Sequence, residues 1–484
     1  MQLLTRVNQG RGSLGRRAPE YDCGSQITRR VFLRVSAKTV ASATILGSPL
    51  LRPQSAFAVP VRLRRDVGNL SANSSVIKSY AKAVKAMKAL PTSDPRSWAY
   101  QAAIHGTMAS PPMTAWNTCE HGTLYFWSWH RMYLHYFERI VRKMSGNPKW
   151  ALPYWNYESA SERELPAPFR DPASPLYEAM RGSGWNSGAS SLPAWAVDTS
   201  AGMGILDYAL ASGSLEGTPH GAVHVMIGGL MGSVPTAARD PIFWLHHSNI
   251  DRLWNLWLAQ GGGRSNPLSD VAWKTNKYTF FDENRNQVQL TGCDVLRAAL
   301  QLHYRYEGEP AQVNQYCFRL PPWIFEREVL FRWPIPPFAL TARQVVQTDV
   351  TRFRERLQTV ARNTNASILV RLSNVIASKQ PQTVWQIFLA PPTVKRLDPG
   401  GPYFVGTLAM FGAGVRGSHE FKPANFTFVA DKAVQAALRG GAKKFALTFV
   451  AAGPLVNGKP SKPQIGAKVR VGSVGILVQT RKRR

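Results

Sequence analysis

From Asp66 to about Leu258 apolar residues recur at three- and four-residue spacing, the period of helices with one buried face. Val76 to Leu90 carries such a stripe and stops before Pro91, while Leu124 to Met144 is apolar nearly all round, as a central buried helix must be. Ile250, Leu253, Trp254 and Trp257 mark a further helix after a turn at Asp240-Pro241. Long irregular runs rich in Pro, Gly and Ser, chiefly residues 159–218, join these elements. The period changes over Ser269 to Glu307, which predicts a hairpin turning at Asp282-Glu283-Asn284 and then a short helix. Pro321-Pro322 and the PIPPF run ending at Phe338 mark a linker. Beyond it, Ser367 to Asn374, Thr383 to Ala390, Tyr403 to Phe411, Phe426 to Val429, Lys444 to Ala451 and Val469 to Gln479 alternate as strands do, between Gly, Pro and Asn turns. These predict an antiparallel β sandwich. The expected layout is a mainly α domain over 59–268, a connecting segment over 269–320, a Pro-rich linker over 321–345 and an all-β domain over 346–484.

The 484 residues suffice for two to three domains and a large core. The net charge of +30 raises the question of a nucleic-acid partner, but no basic-aromatic repeat or nucleic-acid module accompanies it, so a solvated basic surface is expected. Residues 1–58 have the make-up of a leader. Thr28-Arg29-Arg30-Val31-Phe32-Leu33-Arg34 resembles the twin-arginine export motif, an apolar run follows from Val40 to Leu51, and Ala56-Phe57-Ala58 is a small-residue cleavage site. That run is too short and too rich in Ser, Thr and Gly to span a membrane. Losing this segment removes nine basic and two acidic residues and leaves about +23. The expectation is therefore a bacterial protein handed to the twin-arginine machinery, periplasmic or secreted, with no stable membrane anchor and no nucleic acid as partner. Cleavage would remove Cys23. Cys293 and Cys317 are then either a disulfide pair or two buried thiols.

Eight of the ten histidines fall between His105 and His247. His220 and His224, four apart, can project from one helix face and share a metal, and the His246-His247 pair can complete that site. Upstream, His105, His121 and His130 form a second triplet. A single HxxxH is more often two core or surface histidines than a ligand pair, but two matching blocks point to metal. Neutral imidazoles with few carboxylates nearby suit copper best. A hydrolytic zinc centre remains open but usually adds a carboxylate ligand or an HExxH glutamate, which this sequence lacks.

HGTLYFWSWHRMYLHYFE and DPIFWLHHSNID resemble the two copper-binding signatures of the tyrosinase, catechol oxidase and mollusc haemocyanin family. The resemblance implies a four-helix bundle around two copper ions. His105, His121 and His130 would hold one copper and His220, His224 and His247 the other, with His246 beside the ligands but not among them. Trp127 departs from the family pattern at a packing position. Cys119 is either a small buried hydrophobe or, as in fungal and mollusc members, the partner of His121 in a thioether. Glu216 resembles the glutamate that holds a water near the coppers in plant enzymes. Gly221 stands where many monophenol-hydroxylating members have asparagine. Val234 occupies the place of a bulky phenylalanine over one copper, so a more open mouth is expected. Residues 269–307 and the VGTLAMF and VRVGSVGILV strands resemble plant polyphenol oxidases, whose carboxy-terminal domain covers the copper site; a passive stabilising domain is the alternative. The likeness covers about two-thirds of the chain. It implies oxidation of o-diphenols to o-quinones by O2, with hydroxylation of monophenols such as tyrosine left open. An O2 carrier or an o-aminophenol oxidase shares the same ligands.

Overall fold

The computed structural model describes residues 60–310, 322–412, 414, 415 and 421–484, together with Cys23. The leader expected over 1–58, Cys23 apart, and Cys317 lie outside the described residues. The elements below all belong to one unit, residues 57–484.

Six principal helices build the first half: α1 (Ser75–Lys88), α2 (Trp98–His105), α3 (Phe126–Ser145), α4 (Tyr208–Leu215) and, after a wide turn, α5 (Ala222–Ile227); α6 (Ile242–Ala259) closes the set. Polar caps start several of them. Ser74 accepts from the Ile77 amide at 3.3 Å, Ser97 from Tyr100 at 3.0 Å and Asp207 from Leu210 at 2.9 Å, each satisfying a first-turn N–H that has no helical partner. Gly146 ends α3 in the left-handed conformation at φ 73°, which glycine adopts without strain.

Helix α3 is buried on nearly every side, as its composition predicts, but two of its buried residues are charged. Arg131 contacts Asp251 of α6 at 2.5 Å, and Glu138 contacts Arg64 at 2.8 Å. Arg64 lies on β1 (Arg62–Arg64), which pairs in parallel with the later strand Tyr304–Tyr306; it also reaches Asp251 at 3.2 Å. Tyr304 and Tyr306 donate their hydroxyls to the same carboxylate at 2.5 and 2.6 Å. One aspartate therefore joins the N-terminal strand, both long helices and the segment after them. Breaking such a buried set strands the remaining charges, so Asp251→Ala should cost about 3–5 kcal/mol, read as a lowered midpoint of thermal unfolding.

The hairpin forms at its predicted place as β2 (Tyr278–Phe281) and β3 (Gln287–Leu290), with Asp282 accepting from Asn284 and Asn286 in the turn. The run expected as a linker is different. Trp323–Arg332 is a ten-residue strand and Arg343–Asp349 another, so residues 321–345 are largely built into the β domain. The prolines that suggested a linker, Pro334, Pro336 and Pro337, sit between those strands, where no ladder N–H is needed.

The β domain is two antiparallel sheets over one core. In one, Trp323–Arg332 lies beside Ser473–Arg483, which lies beside Ala366–Ala377, followed by Val469–Val471 and Phe338–Ala339; Ala424–Val429 also pairs with Ala366–Ala377. The other runs Phe404–Leu408, Val384–Ala390, Lys444–Ala452, Arg343–Asp349. Ile368, Val370 and Leu372 of the first meet Ile387, Leu389 and Phe449 of the second, the expected sandwich. Two helices the strand pattern did not announce, Arg354–Arg362 and Asp431–Arg439, pack onto it. Phe411 and Ala409 from this half, with Val384, belong to the core of the helical half.

Candidate metal centre and its cover

Four helices, one loop and one wide turn deliver the histidines. His105 ends α2, His130 lies in the second turn of α3, His224 is on α5, and His246 and His247 are on α6; His121 comes from the loop before α3. His220 sits in the wide turn Glu216–Gly221, which breaks what the sequence suggests is a single helix. The reason is local: Pro219 has no N–H, and the residue before a proline is pushed out of the helical region, as Thr218 is at φ −140°, ψ 117°.

Backbone carbonyls orient the rings. Nδ1 of His105 is 3.0 Å from the Val234 oxygen, that of His130 2.8 Å from Phe126, that of His220 3.0 Å from Glu216 and that of His224 2.8 Å from Met231. A proton held on each Nδ1 by its carbonyl leaves Nε2 as a lone pair aimed inward, the arrangement of metal-ligating imidazoles. Nε2 of His105 and of His220 and Nδ1 of His247 are buried without a hydrogen-bond partner. Burial drives these imidazoles toward their neutral form, that of His105 down to about 4.

The rings gather into two groups, His105, Cys119, His121 and His130 in one and His220, His224, His246 and His247 in the other, with the ligating atoms of each group within 4.8 Å of one another. The groups abut: His130 stacks on His247 at 4.4 Å between centroids, and His121 lies 5.6 Å from His220. Nε2 of His224 and of His247 are 3.2 Å apart, converging on one point. All six expected ligands are thus brought together. So is His246, whose Nδ1 lies 3.1 Å from the Tyr157 hydroxyl and whose ring stacks with His220.

Cys119 is the free cysteine among the described residues; the expected Cys293–Cys317 pair falls on Cys317, outside them. The Cys119 sulfur stands 3.5 Å from Nδ1 and 3.7 Å from Nε2 of His121, nearly equidistant from the two ring nitrogens, and 3.4 Å from Nε2 of His130. Burial raises its thiol well above the ordinary range, so at neutral pH the metal-free site holds a thiol. Glu216 is buried as well and is pushed up to about 8, chiefly by loss of hydration; its carboxylate accepts from the Gly122 amide at 2.6 Å, next to His121. Trp127 stacks on Trp254 at 5.8 Å and 9°, a packing contact.

Donor chemistry and geometry fit two ions of an imidazole-preferring metal, three or more ring nitrogens each. The sequence did not single out the ring that lies over them. Phe411, from the loop after strand Phe404–Leu408, stacks on His224 at 3.8 Å and 7°, and its centroid is 5.4 Å from His121 and 5.5 Å from His220. Val234 is half-buried beside it, where a Cβ on Gly412 would come within 2.9 Å of its Cγ2. The small side chain at 234 therefore meets the β domain rather than an open mouth. A cavity of about 1580 Å³ continues from His121, Cys119 and Phe411 toward Arg371 and Phe428 of the β domain.

Residues 95–190 and 201–260 match the common central domain of tyrosinase, and residues 268–316 match the polyphenol oxidase middle domain. The helical half is a tyrosinase domain. A tyrosinase of Hahella sp. (strain CCB-MM4) is 39% identical over 271 residues, 45% of this chain and 57% of that protein. A chloroplastic polyphenol oxidase of Malus domestica is 32% identical over 292 residues, 51% of this chain and 49% of that one. The chain spans about half the length of the curated relatives it matches, and the sequence likeness falls short of the two-thirds its motifs imply. Latent apple tyrosinase shares the fold at a TM-score of 0.62 and 21% identity, over 90% of this chain and 100% of that one. Latent aurone synthase does so at 0.63 and 20%, over 91% and 93%. The pairing of a helical half with a β-rich C-terminal half is the fold common to all three.

Proposed function

We propose that the chain is a copper-dependent oxidase that converts o-diphenols to o-quinones with O2 and whose β domain covers the active site. The carrying observation is the pair of abutting histidine groups with Nε2 atoms aimed inward. His105, His121 and His130 would hold one copper and His220, His224 and His247 the other, and the bound pair supplies the electron exchange between O2 and phenol. His246, tied to Tyr157, holds the His220 ring from behind. His224 offers a ring face to an aromatic substrate, the face Phe411 occupies in the covered state. Glu216 would hold a water beside the pair, anchored by the Gly122 amide. Gly221 offers that water no side chain, which favours catechols over monophenols as substrates.

The test is oxygen uptake by copper-reconstituted chain given catechol, and separately given tyrosine alone. Sustained quinone formation from catechol is expected and separates an oxidase from an O2 carrier; an o-aminophenol tested alongside ranks that substrate class. Two zinc ions and no copper in active protein would overturn the reading. Export by the twin-arginine route belongs to the same proposal, on the sequence of residues 1–58; among the described residues no helix is long and apolar enough to cross a membrane.

The position of Cys119 also supports a thioether to the His121 ring. Forming it breaks the S–H and a ring C–H, makes one C–S bond and passes two electrons to copper and O2. Copper-loaded chain should then be lighter than metal-free chain by two hydrogen atoms in intact-mass spectrometry, a difference absent in Cys119→Ser.

A further inference from the structure

The segment that brings Phe411 to the histidines makes close contacts at two residues without side chains, one in the turn it meets and one in the segment itself. Gly221 directly follows His220. A Cβ built on it would lie 3.2 Å from the Cβ of Ala409, 3.3 Å from the Glu216 oxygen and 3.5 Å from the Ala409 oxygen. Within the segment Gly412, directly after Phe411 and at φ +77°, would place a Cβ 2.9 Å from Val234 Cγ2 and 3.1 Å from Nδ1 of His121. Gly217, in the same turn as His220, has open space around its Cβ position. The turn's own Glu216 oxygen contributes to the crowding at 221, but the nearest contact, and two of the three, come from Ala409 of the covering segment, which is buried in the helical core.

We propose that Gly221 is a positioning residue for the cover. The missing side chain after His220 lets Ala409 seat against the turn, and only from that seat does Phe411, two residues on, lie flat on His224. Residue 221 thereby sets how firmly the site is shut, apart from any part it plays in oxidation. The inference rests on the reading of Phe411 as a cover over the metal site. Its chemical consequence is a linkage: any side chain at 221, including one long enough to orient a water beside the metals, starts from a Cβ that presses on Ala409, so it would loosen this cover.

The experiment uses the full-length copper-loaded chain and two readouts. One is hydrogen exchange of the peptide containing residues 409–412; the other is binding of 4-nitrocatechol under argon, followed by its absorbance. In Gly221→Ala, overpacking of the seat should speed the exchange and tighten the binding, each by about tenfold, with copper content unchanged. Removing the opposing methyl in Gly221→Ala/Ala409→Gly should return both to within about twofold of the parent. Gly217→Ala should match the parent. Ala409→Val presses on the same contact from the β domain and serves if the glycine variant does not fold. Parent-like behaviour of both Gly221→Ala and Ala409→Val, while Phe411→Ala binds the probe more tightly, would overturn the proposal. If Phe411→Ala is also parent-like, it is the covering role that fails.

Discussion

Replacing His224 with alanine is expected to yield a chain that holds about one copper ion where the parent holds about two, and that oxidises catechol more slowly by a factor of at least about 10³. The Met231 carbonyl fixes the His224 ring at 2.8 Å, and its Nε2 meets that of His247 at 3.2 Å. Without it, that group keeps only His220 and His247 of the three imidazoles assigned to its copper. Changes to residues that merely orient a ligand cost roughly 10–100-fold, so loss of a ligand must cost more. Metal analysis and oxygen uptake on the same preparation check both parts. His135→Ala, on α3 with His130 but outside both groups, is the control and should change neither. A His224→Ala chain with two tightly held copper ions and parental quinone formation would sink the metal assignment.

Phe411→Ala should act in the opposite direction. Its ring lies flat on His224 at 3.8 Å and within 5.5 Å of His121 and His220, so it fills the volume an aromatic substrate needs. Truncating a buried phenylalanine removes about 3–5 kcal/mol of packing, and here the space it leaves is the substrate's. The expected outcome is a rise in kcat/KM for catechol of at least about tenfold with unchanged copper content, mostly through a lower KM as the competitor for the ring face is removed. Steady-state kinetics on intact chain, checked for proteolysis by mass spectrometry, give the answer. Unchanged kinetics would make the β domain a passive neighbour.

Much of this centre was legible in the sequence because ligands are written there as residue types at fixed spacings. Six histidines in two blocks named both groups, and the strand pattern from Ser367 onward located most of the sandwich. Two kinds of feature escaped. Trp323–Arg332 was hidden because nearby prolines mark a turn and a linker equally well, and only pairing with Ser473–Arg483 makes it a strand. Phe411 was hidden for a deeper reason. It closes an apolar run like the other strands, and nothing local distinguishes a phenylalanine bound for its own core from one inserted among histidines of another. His246 shows the converse limit, since adjacent imidazoles on one helix differ only in what faces them, here Tyr157 for His246 and His130 for His247.

The order of the sheet has a consequence for how the protein is made. Ser473–Arg483 lies between Trp323–Arg332 and Ala366–Ala377, yet it is the last of the three to leave the ribosome. Every imidazole of the two histidine groups has been synthesised well before that strand can join its neighbours and complete the sheet. A nascent chain therefore passes through an interval in which all the histidines of the two groups are present while the strand that joins the two outer parts of this sheet is not.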